Sequence, residues 1–223
     1  NDLYLVECFF SGKGEGVSIL AVDGKVLASF AHKRVSEPKS GGGSSYRKSI
    51  KLDDRMANAC AKICQATNYT GVGMFEFKKN EQTGDWILIE VNARFWGSLP
   101  LAIYAGIDFP VKYIQALLEK SQGISGNGLK PLGNAYKVDV FGRSLVSDIF
   151  DIKKEIEFNL RYSSKLKKFV DLLSRLFSFG RILLGKERID TFQSDDSAPF
   201  KNEVSQFYNE TIAPKFPWNK HAD

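Results

Sequence analysis

The sequence predicts an α+β protein, with an antiparallel sheet built from hairpins and helices packed on one face of it. Three observations predict it: an Asp23-Gly24 turn between two half-polar runs, a polar Gly-containing turn between two runs rich in Val, Phe, Ile and Trp at 72–79 and 86–92, and an apolar helical stripe between those hairpins. Residues 3–10 (LYLVECFF) read as a buried strand, and Asp23-Gly24 as a type I′ turn that closes the first hairpin. His32, Lys33 and Arg34 end that hairpin, and the Gly/Ser-rich stretch at 40–49 (SGGGSSYRKS) reads as a surface loop that does not fit the G-x-x-x-x-G-K-[ST] phosphate loop. Residues 53–67 read as a helix with acids in its first turn and Met56, Cys60, Ile63 and Cys64 on its buried side, packed against the second hairpin.

The second hairpin carries the chemistry. Side chains alternate across a strand, so Phe75, Phe77, Ile87, Ile89 and Val91 form an apolar face, while Met74, Glu76, Leu88, Glu90 and Asn92 share the other. A loop of Glu81 to Asp85 sets Glu76 directly opposite Glu90. Like charges at that spacing repel, and a fold retains them when a cation lies between them or one takes up a proton. Asn92 adds a neutral oxygen donor, which suits a hard cation held by one or two carboxylates and substrate phosphates. Arg94 follows, then Gly97-Ser98 ahead of Pro100, an order that fits a guanidinium for an anion and a helix start.

In this order, GVGMFEFKKNEQTGDWILIEVNARFWGS (71–98) resembles the last metal-binding strands of the ATP-grasp superfamily, whose signature runs Glu-x-Asn-x-Arg into a Gly-Ser turn. The likeness is to the carbamoyl-phosphate synthase type of domain and the carboxylate-amine ligases that share it. It extends upstream, where residues 3–34 resemble the family's hinge strand, Gly-rich turn and hairpin. The resemblance implies the C-terminal lobe of the fold, ending near residue 120, with 121–223 as a linker and mainly helical extension. It implies ATP and Mg2+ (or Mn2+) as cofactors, with Glu76, Glu90 and Asn92 as metal ligands and Arg94 and Arg34 as catalytic cations that hold an acyl phosphate. Glu7, Cys8, Phe9 and Phe10 fall at the hinge that meets adenine, Glu15 near the ribose and Lys33 near the phosphates, and Met74 and Leu88 would form an apolar floor for adenine.

The implied function is ADP-forming activation of a small-molecule carboxylate for attack by an amine; the alternative is a nucleotide-binding regulatory module without ligase activity. The chain begins at the hinge strand, so the N-terminal lobe that grips the phosphates is expected from a longer chain, a homo-oligomer or a partner.

Composition bounds the rest. Three cysteines without C-x-x-C, and two histidines, fit a reducing compartment and leave little for a zinc site. No apolar run reaches the roughly 20 residues of a membrane span, and no secretory signal stands out, so a cytoplasmic protein is expected. The net charge of +5 is local: residues 161–188 hold eight Lys or Arg against two acids. That segment reads as a helix docked by its apolar side, with contact to an anionic membrane as the secondary reading and no nucleic-acid motif beside it.

Overall fold

A computed structural model describes residues 8–36, 45–124, 128–133, 135–152 and 165–212, apart from some side chains at the start of the basic helix. The chain divides into two compact units, residues 1–35 with 47–140, and 36–46 with 141–223.

In the first unit, β1 (Lys13–Val22) and β2 (Lys25–Ser36) form a hairpin. Asp23 and Gly24 both have positive φ (49° and 78°), the backbone of the expected type I′ turn. Next come β3 (Tyr46–Ser49), α1 (Asp54–Ala66), β4 (Gly71–Lys79) and β5 (Trp86–Asn92). The strands lie in the order β5-β4-β1-β2-β3, with β1 antiparallel to both β2 and β4. Helix α1 starts at Asp53, whose side chain accepts from the Arg55 backbone N–H, and it buries Met56, Cys60 and Cys64 against Val17, Ile19, Ala21, Phe75 and Phe77.

The α+β class is as expected, but the helices cover both faces of the sheet rather than one. The apolar run after Ser98 is broken at Gly106 (φ 112°) into α2 (Leu99–Ala105) and α3 (Phe109–Ser121). These pack Leu101, Ala102, Ala105, Phe109 and Ala116 onto Leu20, Val22, Ala28, Phe30, Val72 and Met74, on the side away from α1. Among the described residues no single helix is long and apolar enough to cross a membrane. The segment after α3 is more than a spacer: Leu129 is buried in this second core, the Leu132 N–H donates to the Leu27 carbonyl (2.9 Å), and the Tyr136 hydroxyl donates to the Ile50 carbonyl (2.7 Å).

Residues 8–12 form no strand, and Cys8 and Phe9 are exposed. The expected strand at 3–10 is therefore corrected over its described end: pairing with β4 begins only at Lys13 opposite Lys79, and without a partner strand the upstream backbone gains nothing by staying extended.

In the second unit, β6 (Phe141–Arg143) runs parallel to β7 (Glu187–Ile189), beside α4 (Lys165–Leu183) and α5 (Ala198–Phe207). Its centre is Arg143, fully buried, which donates to Asp148, Glu187 and the Ser178 hydroxyl and stacks on Tyr46 and Phe179. Helix α4 turns Ser178 toward that arginine and leaves Val170 and Phe177 exposed, Phe177 at 78%.

Candidate functional site

The hairpin β4–β5 sets Glu76 opposite Glu90 and Met74 opposite Asn92, as the sequence predicts. The route differs. Nearer the turn Phe77 faces Leu88 and Lys79 faces Trp86, which makes the loop 80–85, one residue longer than expected, and inserts Ile89 as a bulge that restores the Glu76–Glu90 pairing. A one-residue shift moves every side chain before it to the other face. Leu88 consequently packs with Phe77 and Trp86 on the α1 side, which corrects its placement beside Glu76.

Glu76 does not stand against a bare Glu90. Its Oε2 accepts from an Arg34 guanidinium nitrogen at 2.7 Å, both side chains being about one-fifth exposed (23% and 21%). Arg34 sits on β2 and Glu76 on β4, two strand spacings or roughly 9.5 Å apart, with β1 between them. The intervening residues on that face are Gly14, opposite Lys78, and Gly16, opposite Glu76, so no side chain obstructs the crossing. On the other side of the pair, Glu90 Oε1 accepts from Asn92 Nδ2 (2.8 Å), and Asn92 Oδ1 accepts from Arg94 (3.2 Å). Arg94 also donates to the Phe95 carbonyl (3.0 Å), which ties the start of the turn to the strand end.

Beneath Arg34 lies His32, 5% exposed, its ring laid over Gly16. Burial, with the charges of Arg47 and Arg34, pulls its pKa down to about 3, so the imidazole is neutral. Its Nε2 lies 3.5 Å from the Ser98 hydroxyl, which reaches Met74 Sδ at 3.9 Å. Nδ1 of His32 and Oγ of Ser18 are buried without a hydrogen-bond partner among the described residues. The sequence offered no signal for His32 or Arg47 beyond their place at the hairpin end and in the Gly/Ser loop; the sheet register brings them together.

The expected residues thus divide. Arg34, Glu76, Glu90, Asn92 and Arg94 share one connected polar surface. Met74 is on that face but buried under the start of α2, against Ser98. Glu15 and Lys33, paired across β1 and β2, project from the α1 face, as the inward Val17 two residues on from Glu15 requires. There Glu15 lies near Lys79 and Lys33; burial raises its pKa against the pull of those two ammonium groups. Cys8, Phe9 and Phe10 precede the sheet, Phe9 under the Lys78 ammonium (5.7 Å to the ring centre), and Glu7 lies outside the described residues.

Two carboxylates and an amide oxygen on neighbouring strands form an oxygen donor set that fits a hard divalent cation. Among the described residues no three His, Cys, Asp or Glu side chains cluster, so the third protein donor would be the Asn92 amide.

An antiparallel lobe with acids and arginines on one end of a sheet face is the arrangement that the resemblance to the ATP-grasp superfamily implies. The family described as "ATP-grasp in the biosynthetic pathway with Ter operon" matches residues 2–130, and the chain belongs to it. The superfamily resemblance read from residues 71–98 is borne out. No curated protein matches the chain. Among solved structures it is similar to a biotin carboxylase–β,γ-ATP complex from Campylobacter jejuni (19% identity, 60% of this chain and 30% of that one, TM-score 0.44). It is also similar to Rhizobium etli pyruvate carboxylase T882A with acetyl coenzyme-A (21% identity, 58% and 12% covered, TM-score 0.45). The chain thus spans less than a third of the length of either.

Proposed function

We propose that this chain carries the metal- and phosphate-binding lobe of an ADP-forming ligase, of the carbamoyl-phosphate synthase type, that activates a carboxylate as an acyl phosphate for attack by an amine. The observation that carries the reading is the connected set Arg34–Glu76 and Glu90–Asn92–Arg94 on one sheet face, with the two carboxylates directly opposed. Mg2+ held by Glu76, Glu90 and Asn92 would neutralise phosphate oxygens as charge moves onto the leaving ADP.

The residues of the chain have separate tasks. Glu76 and Glu90 supply negative charge where a dication and phosphates meet, and Asn92 orients Glu90 through its amide hydrogen bond. Arg94 is fixed at the strand end by the Phe95 carbonyl and Asn92, so its remaining donors can receive the transferred phosphoryl group with little reorganisation. Arg34 approaches from the opposite side and can hold the acyl phosphate as the amine attacks. Adenine is expected at the residues that precede β1; Met74 and Leu88 are not open on the polar face.

The test is calorimetric titration of Mg2+-ATP into the chain and its Glu90→Gln variant, followed by a screen of carboxylate and amine pairs for ADP release by the full assembly. Glu90→Gln should weaken Mg2+-dependent binding and lower ADP release by roughly a hundredfold or more. Its thermal midpoint should not fall, because the exposed Glu90 carries no core packing. A near-wild-type rate refutes the metal assignment, and binding without ADP release under every pair favours a regulatory nucleotide-binding module.

A further inference from the structure

We propose that Arg34 is a resident counter-cation of the metal site: it occupies Glu76 while nucleotide is absent, so that a divalent cation enters effectively only together with nucleotide phosphates. This inference rests on the reading of Glu76, Glu90 and Asn92 as the metal donors.

Each of those donors is already engaged within the protein. Glu76 Oε2 holds Arg34 at 2.7 Å, Glu90 Oε1 holds the Asn92 amide at 2.8 Å, and Asn92 Oδ1 holds Arg94 at 3.2 Å. Two carboxylates and two guanidinium groups already share the surface before any ligand arrives. A dication arriving alone must share Glu76 with Arg34 or displace it, turn the Asn92 amide so that its oxygen points at the metal, and then face two nearby guanidinium groups. Each of these steps costs free energy that water around a free cation does not demand.

Phosphates offset the first and the last of these costs. A guanidinium forms two parallel hydrogen bonds to a phosphoryl group as readily as to a carboxylate, so Arg34 can exchange Glu76 for phosphate without losing a partner. The exchange is possible because β1 contributes only Gly14 and Gly16 on this face, with the His32 ring over Gly16, and because neither group of the pair is locked in the core, being 21% and 23% exposed. Neutral His32 under the arginine adds no further positive charge to the site. Thermodynamic linkage then requires reciprocity: nucleotide raises cation affinity by the same factor by which the cation raises nucleotide affinity.

The experiment uses the 223-residue chain with Mn2+ as probe, read by the electron paramagnetic resonance of free Mn2+, with and without a non-hydrolysable ATP analogue. Arg34→Met should bind Mn2+ alone roughly ten- to a hundredfold more tightly than the unmodified chain. That gain should vanish in Arg34→Met with Glu76→Gln, and the analogue should enhance Mn2+ affinity less in Arg34→Met than in the unmodified chain. Arg34→Gln serves the same purpose should the methionine variant not fold, as judged by circular dichroism. Equal Mn2+ affinity of the chain and its Arg34 variant, with binding in both, overturns the counter-cation role and leaves the metal site standing. Absence of Mn2+ binding in every variant, with the analogue present, overturns the metal reading and this inference with it.

Discussion

Gly16 is the position where one methyl group should do most damage. A Cβ there would lie 2.3 Å from His32 Cε1, 2.9 Å from Nε2 and 3.0 Å from Nδ1. Ordinary carbon contacts are about 3.5–4.0 Å, so the ring or the strand must move by roughly 1 Å. The ring has little freedom, being buried, stacked 6.2 Å from Phe30 and bounded by Ser98. Overpacking of that kind costs about 1–3 kcal/mol, and the gain from replacing glycine in a strand returns about 0.5–1 kcal/mol. Gly16→Ala should therefore destabilise the first unit by about 1 kcal/mol, and by no more than about 2.5 kcal/mol, lowering its thermal midpoint by a few degrees. Urea unfolding followed by tryptophan fluorescence measures it, because Trp96 is buried in the same unit. In a His32→Ala background the same change should be neutral or stabilising, a coupling of about 1–3 kcal/mol. Equal stability of Gly16→Ala and the unmodified chain, or an equal loss in both backgrounds, refutes the argument that the ring sets the cost.

His32 also predicts a pH effect. Its folded pKa of about 3 lies below the unfolded value near 6.5, so the unfolded chain binds the extra proton between them; stability is full above about pH 6.5 and falls with pH, by at most about 1.4 kcal/mol per unit. The cations Arg34 and Arg47 and the Ser98 hydroxyl face the ring, and His32→Gln should flatten the urea midpoint between pH 6.5 and 5.5; an unchanged slope refutes it. Burial, with Cys64 adding to it, pushes the Cys60 thiol up to about 12, and burial also raises Cys64, while Cys8 is exposed. One thiol per native chain should react promptly with a disulfide reagent at pH 8 and all three in denaturant, and rapid native reaction of a second thiol counts against the packing of α1. In the second unit, Arg143→Met strands Asp148 and Glu187 without their buried partner, at a cost of about 3–5 kcal/mol. Hydrogen exchange should show protection lost over β6 and β7 and kept over β1, β2, β4 and β5; unchanged protection of β6 and β7 contradicts it.

The hairpins and α1 were legible because each follows from local periodicity and turn chemistry, whereas the opposition of Glu76 to Glu90 follows from a longer loop offset by a bulge, which the expected five-residue loop happened to match. Leu88 was misplaced because a bulge leaves no mark in an apolar run: Ile87, Leu88 and Ile89 fit either face, and only pairing with Phe77 chooses. Residues 128–133, with two Gly and a Pro, read as linker because their anchors are one backbone hydrogen bond to β2 and one buried leucine, neither of which has a sequence period. The Arg34–Glu76 pair joins residues 42 apart across an intervening strand. Strand alternation gives the face of each residue but not which strands are neighbours.

That last point explains why a site forms at this end of the sheet and a core at the other. On the α2–α3 face, β1 reads Val22, Leu20, Ser18, Gly16, Gly14; β2 reads Ala28, Phe30, His32, Arg34; β4 reads Val72, Met74, Glu76. Each strand passes from apolar to small or polar, but in β1 the change runs against the chain direction and in β2 and β4 along it. Antiparallel register aligns the three gradients, so the apolar ends close together under α2 and α3 while the polar ends open together. Glycine is the required end of the central gradient. A larger residue at 16 would enter the space that the His32 ring takes over β1, on the face where Arg34 reaches across to Glu76.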